Sequence, residues 1–331
     1  MKRPTVIDVA HGAGVSRATA ARVLAGSDRV DPAMTAAVMA EARRLGYETN
    51  LAARSLRSGR SGAIGLVVAT NELGGLMGNF AAKILQGAVK GLTDVDIQPV
   101  IVAADNDNRV TRYLSKGHVD AAIVILQHEF SEVTAAIAAS SLPLVWVGRP
   151  GFPIGANAAV IDADNYGGGR LAARTLLDSG RQRIAHIAGP RDMTAANDRR
   201  QGWQDELYEA SITPGPVAYG DFSMAGGTSA MMRIIARSPD VDAVFVSSDL
   251  MAAGALRVLQ ASGRSVPRDV ALLGFDDVAV ATTTDPPLSS IRQPLEDMGR
   301  RAAEMANSLS HGRDISRDQT LPTTLVSRES H

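Results

Sequence analysis

The chain has 331 residues, 45% of them hydrophobic, with a formal net charge of −1 and no cysteine. That length is enough for two or three domains, and the missing cysteines exclude a disulfide framework and thiolate chemistry. The longest apolar runs, such as residues 63–69, fall far short of a membrane span, and the N-terminal MKRPTVIDVAHGAG has no apolar core of signal-peptide length, so a cytoplasmic protein without a membrane partner is expected.

The charge is unevenly divided. Residues 1–62 hold 10 Lys+Arg against 5 Asp+Glu, and the remainder holds 24 against 30. A basic head on an acidic body points to a polyanionic partner for the head alone.

In the head, Thr5 and Asp8 form a Thr-x-x-Asp start, a variant of the capping box, and Val6, Val9 and Ala10 then share one helical face. Gly12-Ala13-Gly14 ends this helix, and Ser16 is placed to cap a second one over 17–24. Asp31-Pro32 opens a third, with Met34, Val38, Ala42 and Leu45 at core spacing and Gly46 as its stop. Two short helices around a tight turn with a third across them predict a helix-turn-helix whose second helix enters the DNA major groove. Arg17, Ala18 and Arg22 are then the candidates for base edges, since arginine donates two bonds to guanine. Ser16, Thr19 and the first-turn amides are candidates for phosphates, and Thr5 is a further DNA-binding candidate.

Residues 49–59, TNLAARSLRSG, carry a short helix signal after Asn50. Seven residues are too few to hold a helix alone in water. Small Ala53, basic Arg54 and a protruding Leu56 suit a pair of helices that order on DNA and part a base step from the minor groove.

Beyond residue 62, apolar strand runs alternate with helix-length segments. Strands are expected at 63–69, 99–103, 121–126 and 143–147, then again at 184–188, 216–219, 243–246 and 270–274. Helices are expected between them at 79–91 and 132–139, then at 199–209, 225–236 and 250–261. Such alternation means parallel sheets covered by helices, and two runs imply two lobes with a cleft at the strand carboxyl ends. The residues at those ends include Asn71, Glu72, Arg149, Arg199, Phe222, Ser248 and Asp276. Guanidinium, carboxylate and an aromatic face together suit a sugar, and two arginines leave a sugar acid open as well.

No phosphate loop, His-Glu-x-x-His or Gly-x-Ser-x-Gly pattern occurs, and no His/Cys cluster suggests a metal. His186 sits inside a strand run and reads as a core histidine. Gly167-Gly168-Gly169 lacks dinucleotide spacing and reads as close packing or a turn at a helix start. A binding protein rather than an enzyme is expected, with no cofactor. An exported solute-binding protein and a sugar-processing enzyme are the rival classes, and specific DNA binding separates the first reading from both.

TVIDVAHGAGVSRATAARVLAG, RVDPAM and EARRLGYETNLAARSLRSG closely resemble the head of the lactose-repressor (LacI/GalR) family of bacterial transcription regulators. DADNYGGGRLAARTLLDSGRQRIAHIAGP, DAVFVSSDLMAAGAL and VPRDVALLGFDD are similar to the family's periplasmic-binding-protein-like body. The resemblance implies that positions 17 and 18 choose the operator, that Arg22 touches bases and that Asn50, Ala53 and Leu56 form the hinge helix. It also supports Arg199 and Asp276 as effector contacts. Two departures stand out: Ala21 replaces a hydroxyl that reaches a phosphate, and Ser248 stands where the family often has Asn.

The expected fold class is an N-terminal all-α helix-turn-helix head plus an α/β two-lobed periplasmic-binding-protein-like body with parallel sheets. The expected domains are the head at 1–48, the hinge at 49–61 and an effector-binding and dimerisation body at 62–331. Within the body, lobe 1 takes about 62–161 and 291–321, and lobe 2 about 164–288 and 324–331, with three crossings implied by the resemblance. The expected function is a ligand-responsive transcriptional repressor: a homodimer on a pseudo-palindromic double-stranded operator, controlled by a sugar or sugar-acid effector in the cleft. No heptad tail closes the sequence, so a coiled-coil tetramer is not expected.

Overall fold

A computed structural model describes residues 4–24, 27, 29–47, 59–69, 80–104, 109–125 and 132–331. The chain divides into two compact units, Met1–Ser61 and Gly62–His331.

The first unit is built by its caps. Helix α1 (Val6–Gly12) starts with a complete capping box: the Thr5 hydroxyl accepts from the Asp8 amide, and the Asp8 carboxylate accepts from the Thr5 amide at 2.7 Å. Helix α2 (Arg17–Leu24) is entered through Ser16, whose hydroxyl accepts from the Thr19 amide at 3.1 Å. Helix α3 (Pro32–Leu45) has Asp31 as its cap, Pro32 in its first turn and left-handed Gly46 at its end. Val9, Ala10, Ala20, Val23, Val38 and Ala42 close the core. Met34, at core spacing in the sequence, is instead 48% exposed. It lies in the first turn of α3, ahead of the helix's buried residues Val38 and Ala42.

The second unit holds two six-stranded sheets. The first sheet contains β1 (Ala63–Ala69), β2 (Gln98–Ala104), β3 (Ala121–Ile125), β4 (Leu144–Val147), β5 (Ala158–Ala163) and β11 (Asp318–Leu321). Their order is β11-β5-β4-β3-β1-β2, and every pairing is parallel. Helices α4 (Phe80–Thr93) and α12 (Leu295–Ser310) cover one face, while α5 (Arg109–Ser115) and α6 (Glu132–Ala138) cover the other.

The second sheet contains β6 (Ile184–Ala188), β7 (Val217–Tyr219), β8 (Ala243–Val246), β9 (Ala271–Asp276), β10 (Ser289–Arg292) and β12 (Thr324–Val326). Their order is β12-β10-β9-β8-β6-β7, parallel except for β12 against β10. Helices α7 (Asn165–Asp178) and α8 (Thr194–Glu209) pack on one face, α9 (Met224–Arg237) and α10 (Asp249–Ala261) on the other. A short helix, α11 (Val280–Thr283), follows β9.

The chain passes between the sheets after β5, after β10 and between β11 and β12. Ile291 and Arg292, placed in lobe 1 on the sequence, pair with Phe275 and Asp276 and stand in the second sheet. Strand β5, AAVIDA, follows β4 with no helix between them, so the strand–helix alternation does not announce it; it is buried along its whole length. The final strand, β12, pairs with β10 from Thr324 to Val326. The residues beyond are held singly, the Ser330 hydroxyl donating to the Leu272 carbonyl at 2.5 Å.

The glycine triplet is both a turn and a packing device. The Gly167 amide donates to the capping Asp164 carboxylate at 2.7 Å. A Cβ on Gly169 would stand 2.1 Å from the Arg199 carbonyl oxygen, so α7 and α8 touch backbone to backbone there.

Candidate functional site

On the head, Ser16, Arg17, Ala18 and Arg22 are exposed and Thr19 is partly so. Ser16 and Thr19 share a hydroxyl contact of 2.9 Å at the start of α2. The exposed Thr5 hydroxyl is engaged by Asp8 at 2.7 Å. The structure therefore gives these residues one short helix start and one helix face. Asn50, Ala53, Arg54 and Leu56 lie outside the described residues.

In the body, the carboxyl ends of the strands converge on a cavity of about 270 Å³. Arg199, Phe222, Ser248 and Asp276 all line it, together with Phe80, Met193, Asp221 and Val278. An adjoining smaller cavity is lined by Arg149, Trp146, Asp162, Asn165 and Gln293, and shares Arg199 with the first. Asn71 and Glu72 lie outside the described residues.

Arg199 is the centre of this arrangement. The sequence placed it at a helix start; α8 begins five residues earlier, at Thr194, with no side-chain cap to announce it. Arg199 thus stands on the buried face of α8, 4% exposed. Its Nε donates to Asn165 Oδ1 at 2.8 Å, and its Nη1 donates to the Ser247 carbonyl at 2.7 Å and to Asp276 Oδ1 at 3.5 Å. Its guanidinium carbon sits 3.8 Å from the centre of the Phe275 ring, a cation–π contact. Burial lowers its pKa while Asp276 opposes the shift; a guanidinium remains charged all the same. Among the described residues Nη2 has no partner, so one donor face is left for a ligand.

Asp276 ends β9 with φ of 100°, outside the usual range for a residue with a side chain. Burial raises its pKa to about 6, against the pull of Arg199 and Gln293. Gln293 Nε2 donates to its Oδ1 at 2.6 Å. The strained turn is braced from below. Asp249, fully buried at the start of α10, accepts from the Val278 amide at 2.9 Å and from the Ser290 hydroxyl at 2.7 Å. Ser290 in turn accepts from the Asp277 amide at 3.1 Å. Asp277 receives Arg292 and Arg328, which tie it to β10 and to the segment after β12.

On the first sheet, Asp162 accepts from the amides of Arg149 and Ala163 and from Asn165 Nδ2. Burial raises its pKa. Asp162, Asn165, Arg199, Asp276 and Gln293 thus form one bonded chain from the end of β5 to the residue after β10. Arg149, the exposed member, forms an ion pair with Asp198 of α8, so its charge is already engaged across the two sheets. The Ser248 hydroxyl accepts from the Met251 amide at 3.3 Å and caps α10.

Sequence reasoning missed Asn165, Gln293, Phe80 and Met193. Asn165 follows a strand that was not recognised, and Gln293 comes 128 residues later, so only the fold brings them together. His186 is a core residue, stacked on Trp203 and Phe245, with burial lowering its pKa to about 3. Among the described residues no cluster of potential metal ligands occurs, and no helix is long and apolar enough to cross a membrane.

Residues 5–50 match the bacterial regulatory proteins of the lacI family, and residues 173–331 match a periplasmic binding protein-like domain. The HTH-type transcriptional regulator CelR of Thermobifida fusca is 41% identical over 310 residues, covering 92% of this chain and 91% of that protein. The chain belongs to the LacI family of bacterial regulatory proteins. Another member, GalS of Salmonella typhimurium, is 33% identical over 335 residues, covering 98% of this chain and 96% of that one. Among solved structures of the family, the CelR–cellobiose complex superposes with a TM-score of 0.77 at 38% identity, covering 99% of this chain and 100% of that one. The lac repressor dimer bound to operator and the anti-inducer ONPF gives 0.84 at 26% identity, covering 99% of both chains. A helical head, two largely parallel sheets and family membership together make the chain a transcriptional regulator.

Proposed function

We propose that this regulator is a homodimeric repressor that binds a pseudo-palindromic operator and is controlled by a neutral sugar in the cavity of the second unit. The observation that carries the effector half is the buried Arg199–Asp276 pair. It presents a buried guanidinium and one strained carboxylate to a cavity walled by Phe222 and Phe80. Charged groups bond paired hydroxyls, and aromatic faces cover the apolar side of a sugar ring. A neutral ligand is favoured over a sugar acid because both arginines already face carboxylates, Arg149 that of Asp198 and Arg199 that of Asp276. The relative solved with cellobiose makes cellobiose the first sugar to test.

For the DNA half, Arg17, Ala18 and Arg22 read bases, while Thr5, Ser16 and Thr19 hold the start of α2 on the backbone. Asn50, Ala53, Arg54 and Leu56 form the hinge that enters the minor groove. Effector and operator binding are linked through a difference in affinity between two states of the body, with typical coupling of ~1–3 kcal/mol. This reading gives the protein no catalytic step and places it in the cytoplasm, with its DNA.

Selection of bound DNA from a random pool, with and without cellobiose and a panel of sugars and sugar acids, tests both halves together. A palindromic consensus whose recovery changes with a neutral sugar is the expected result; enrichment of no sequence sinks the operator reading. A response confined to sugar acids sinks the neutral one.

A further inference from the structure

We propose that Gly189 is a specificity-determining position of the effector site: its missing side chain is the seat on which the Phe222 ring lies, and that seat sets the width of the sugar compartment. The inference rests on the reading of the cavity as a sugar site. Gly189 follows β6 and is not among the residues with positive φ, so its backbone conformation does not require glycine. The neighbouring ring does. A Cβ at position 189 would stand 2.3 Å from Phe222 Cζ, 2.6 Å from Cε1 and 3.0 Å from Ala196 Cβ.

Phe222 is held there from its other end. Its φ is 63°, in the left-handed region that residues with a side chain rarely adopt. The turn is fixed because Asp221 Oδ1 accepts from the Ser223 amide at 3.0 Å and from the Ser223 hydroxyl at 2.6 Å. Ser223 then caps α9, its hydroxyl accepting from the Gly226 amide at 2.9 Å. With the backbone fixed and the ring tip over Gly189, Phe222 has one resting place, at the wall of the cavity it lines with Arg199 and Asp276. A methyl group at 189 removes that place. The clash falls on the far end of a side chain and not on backbone, so the ring yields and the fold survives, but the ring leaves its position relative to the polar pair. The shape of the cavity that Phe222 walls is then changed.

The test uses the full-length protein, with cellobiose and glucose titrated by calorimetry and melting temperature measured alongside. Gly189→Ala is expected to melt close to the native chain and to bind cellobiose about tenfold more weakly, ~1.4 kcal/mol, with a smaller loss for glucose. Phe222→Ala removes the clash, so adding Gly189→Ala to it is expected to change cellobiose affinity by no more than about twofold, the non-additivity of residues in contact. Native-like cellobiose binding by Gly189→Ala, or an equal cost in both backgrounds, overturns the proposal and leaves the sugar site standing. Native-like binding by Phe222→Ala, or no cellobiose binding by the native chain, overturns the assignment of that wall to a sugar and the proposal with it.

Discussion

Asp276 meets the cavity as a carboxylate only above its raised pKa of about 6. Sugar hydroxyls donate to the ionised form, so effector affinity is expected to fall as pH is lowered through about 6. The same titration on Asp276→Asn should be flat across that range and weaker throughout by about tenfold or more, the cost of a lost charged hydrogen bond. His186 cannot supply such a midpoint, because its folded pKa of about 3 keeps it neutral throughout. It acts on stability instead. The unfolded chain binds its proton near pH 6.5, so the stabilisation from neutral His186 is complete above pH 6.5 and is lost progressively as pH falls toward 3. Urea unfolding of the native chain and His186→Gln should therefore converge as the solution is acidified. A constant difference from pH 7 to pH 4 contradicts this.

Among the elements, the head was legible because its helices are announced chemically: a capping box, a serine cap, Asp-Pro at a start and left-handed Gly46 at a stop. Removing one such signal, as in Asp31→Ala, should cost the head ~1 kcal/mol, read as earlier melting of its helical signal. The body was legible where strands are separated by turn residues. It was not at β5, which follows β4 without a helix between them, or at the start of α8, whose N-cap Met193 has no capping side chain. That second omission displaced Arg199 from the buried face it occupies. The α7–α8 contact bears on the site through the same residue, because Gly169 abuts the Arg199 carbonyl. Gly169→Ala must push backbone from backbone. A stability loss of about 1–3 kcal/mol is expected, with weaker effector binding, measured by denaturation and calorimetry on the same sample. A loss of stability with native affinity would show that α8 can move without carrying Arg199.

At the scale of the whole body, the two sheets are joined across the cleft by the Arg149–Asp198 ion pair and by Lys83, whose Nζ donates to the Asp277 carbonyl at 3.4 Å. Arg149 is half exposed, so the pair contributes at most ~1 kcal/mol. Arg149→Ala is accordingly expected to shift effector affinity by no more than about fivefold, more at low salt than at high. Exchanging the two residues, Arg149→Asp with Asp198→Arg, should restore it; failure of the exchange would show that Arg149 meets the ligand itself. No sequence pattern connects positions 149 and 198. Their meeting follows only from two sheets presenting their strand ends to one cleft.

The last crossing carries a further consequence. Strands β11 and β12 are three residues apart at their nearest ends, yet each completes a different sheet. Neither lobe is a continuous stretch of chain: the first sheet cannot be completed before Leu321 is made, nor the second before Val326. Synthesis therefore delivers a finished head, able to meet DNA, before it delivers a body able to meet sugar. For the length of that interval the growing chain has a reader but no sensor.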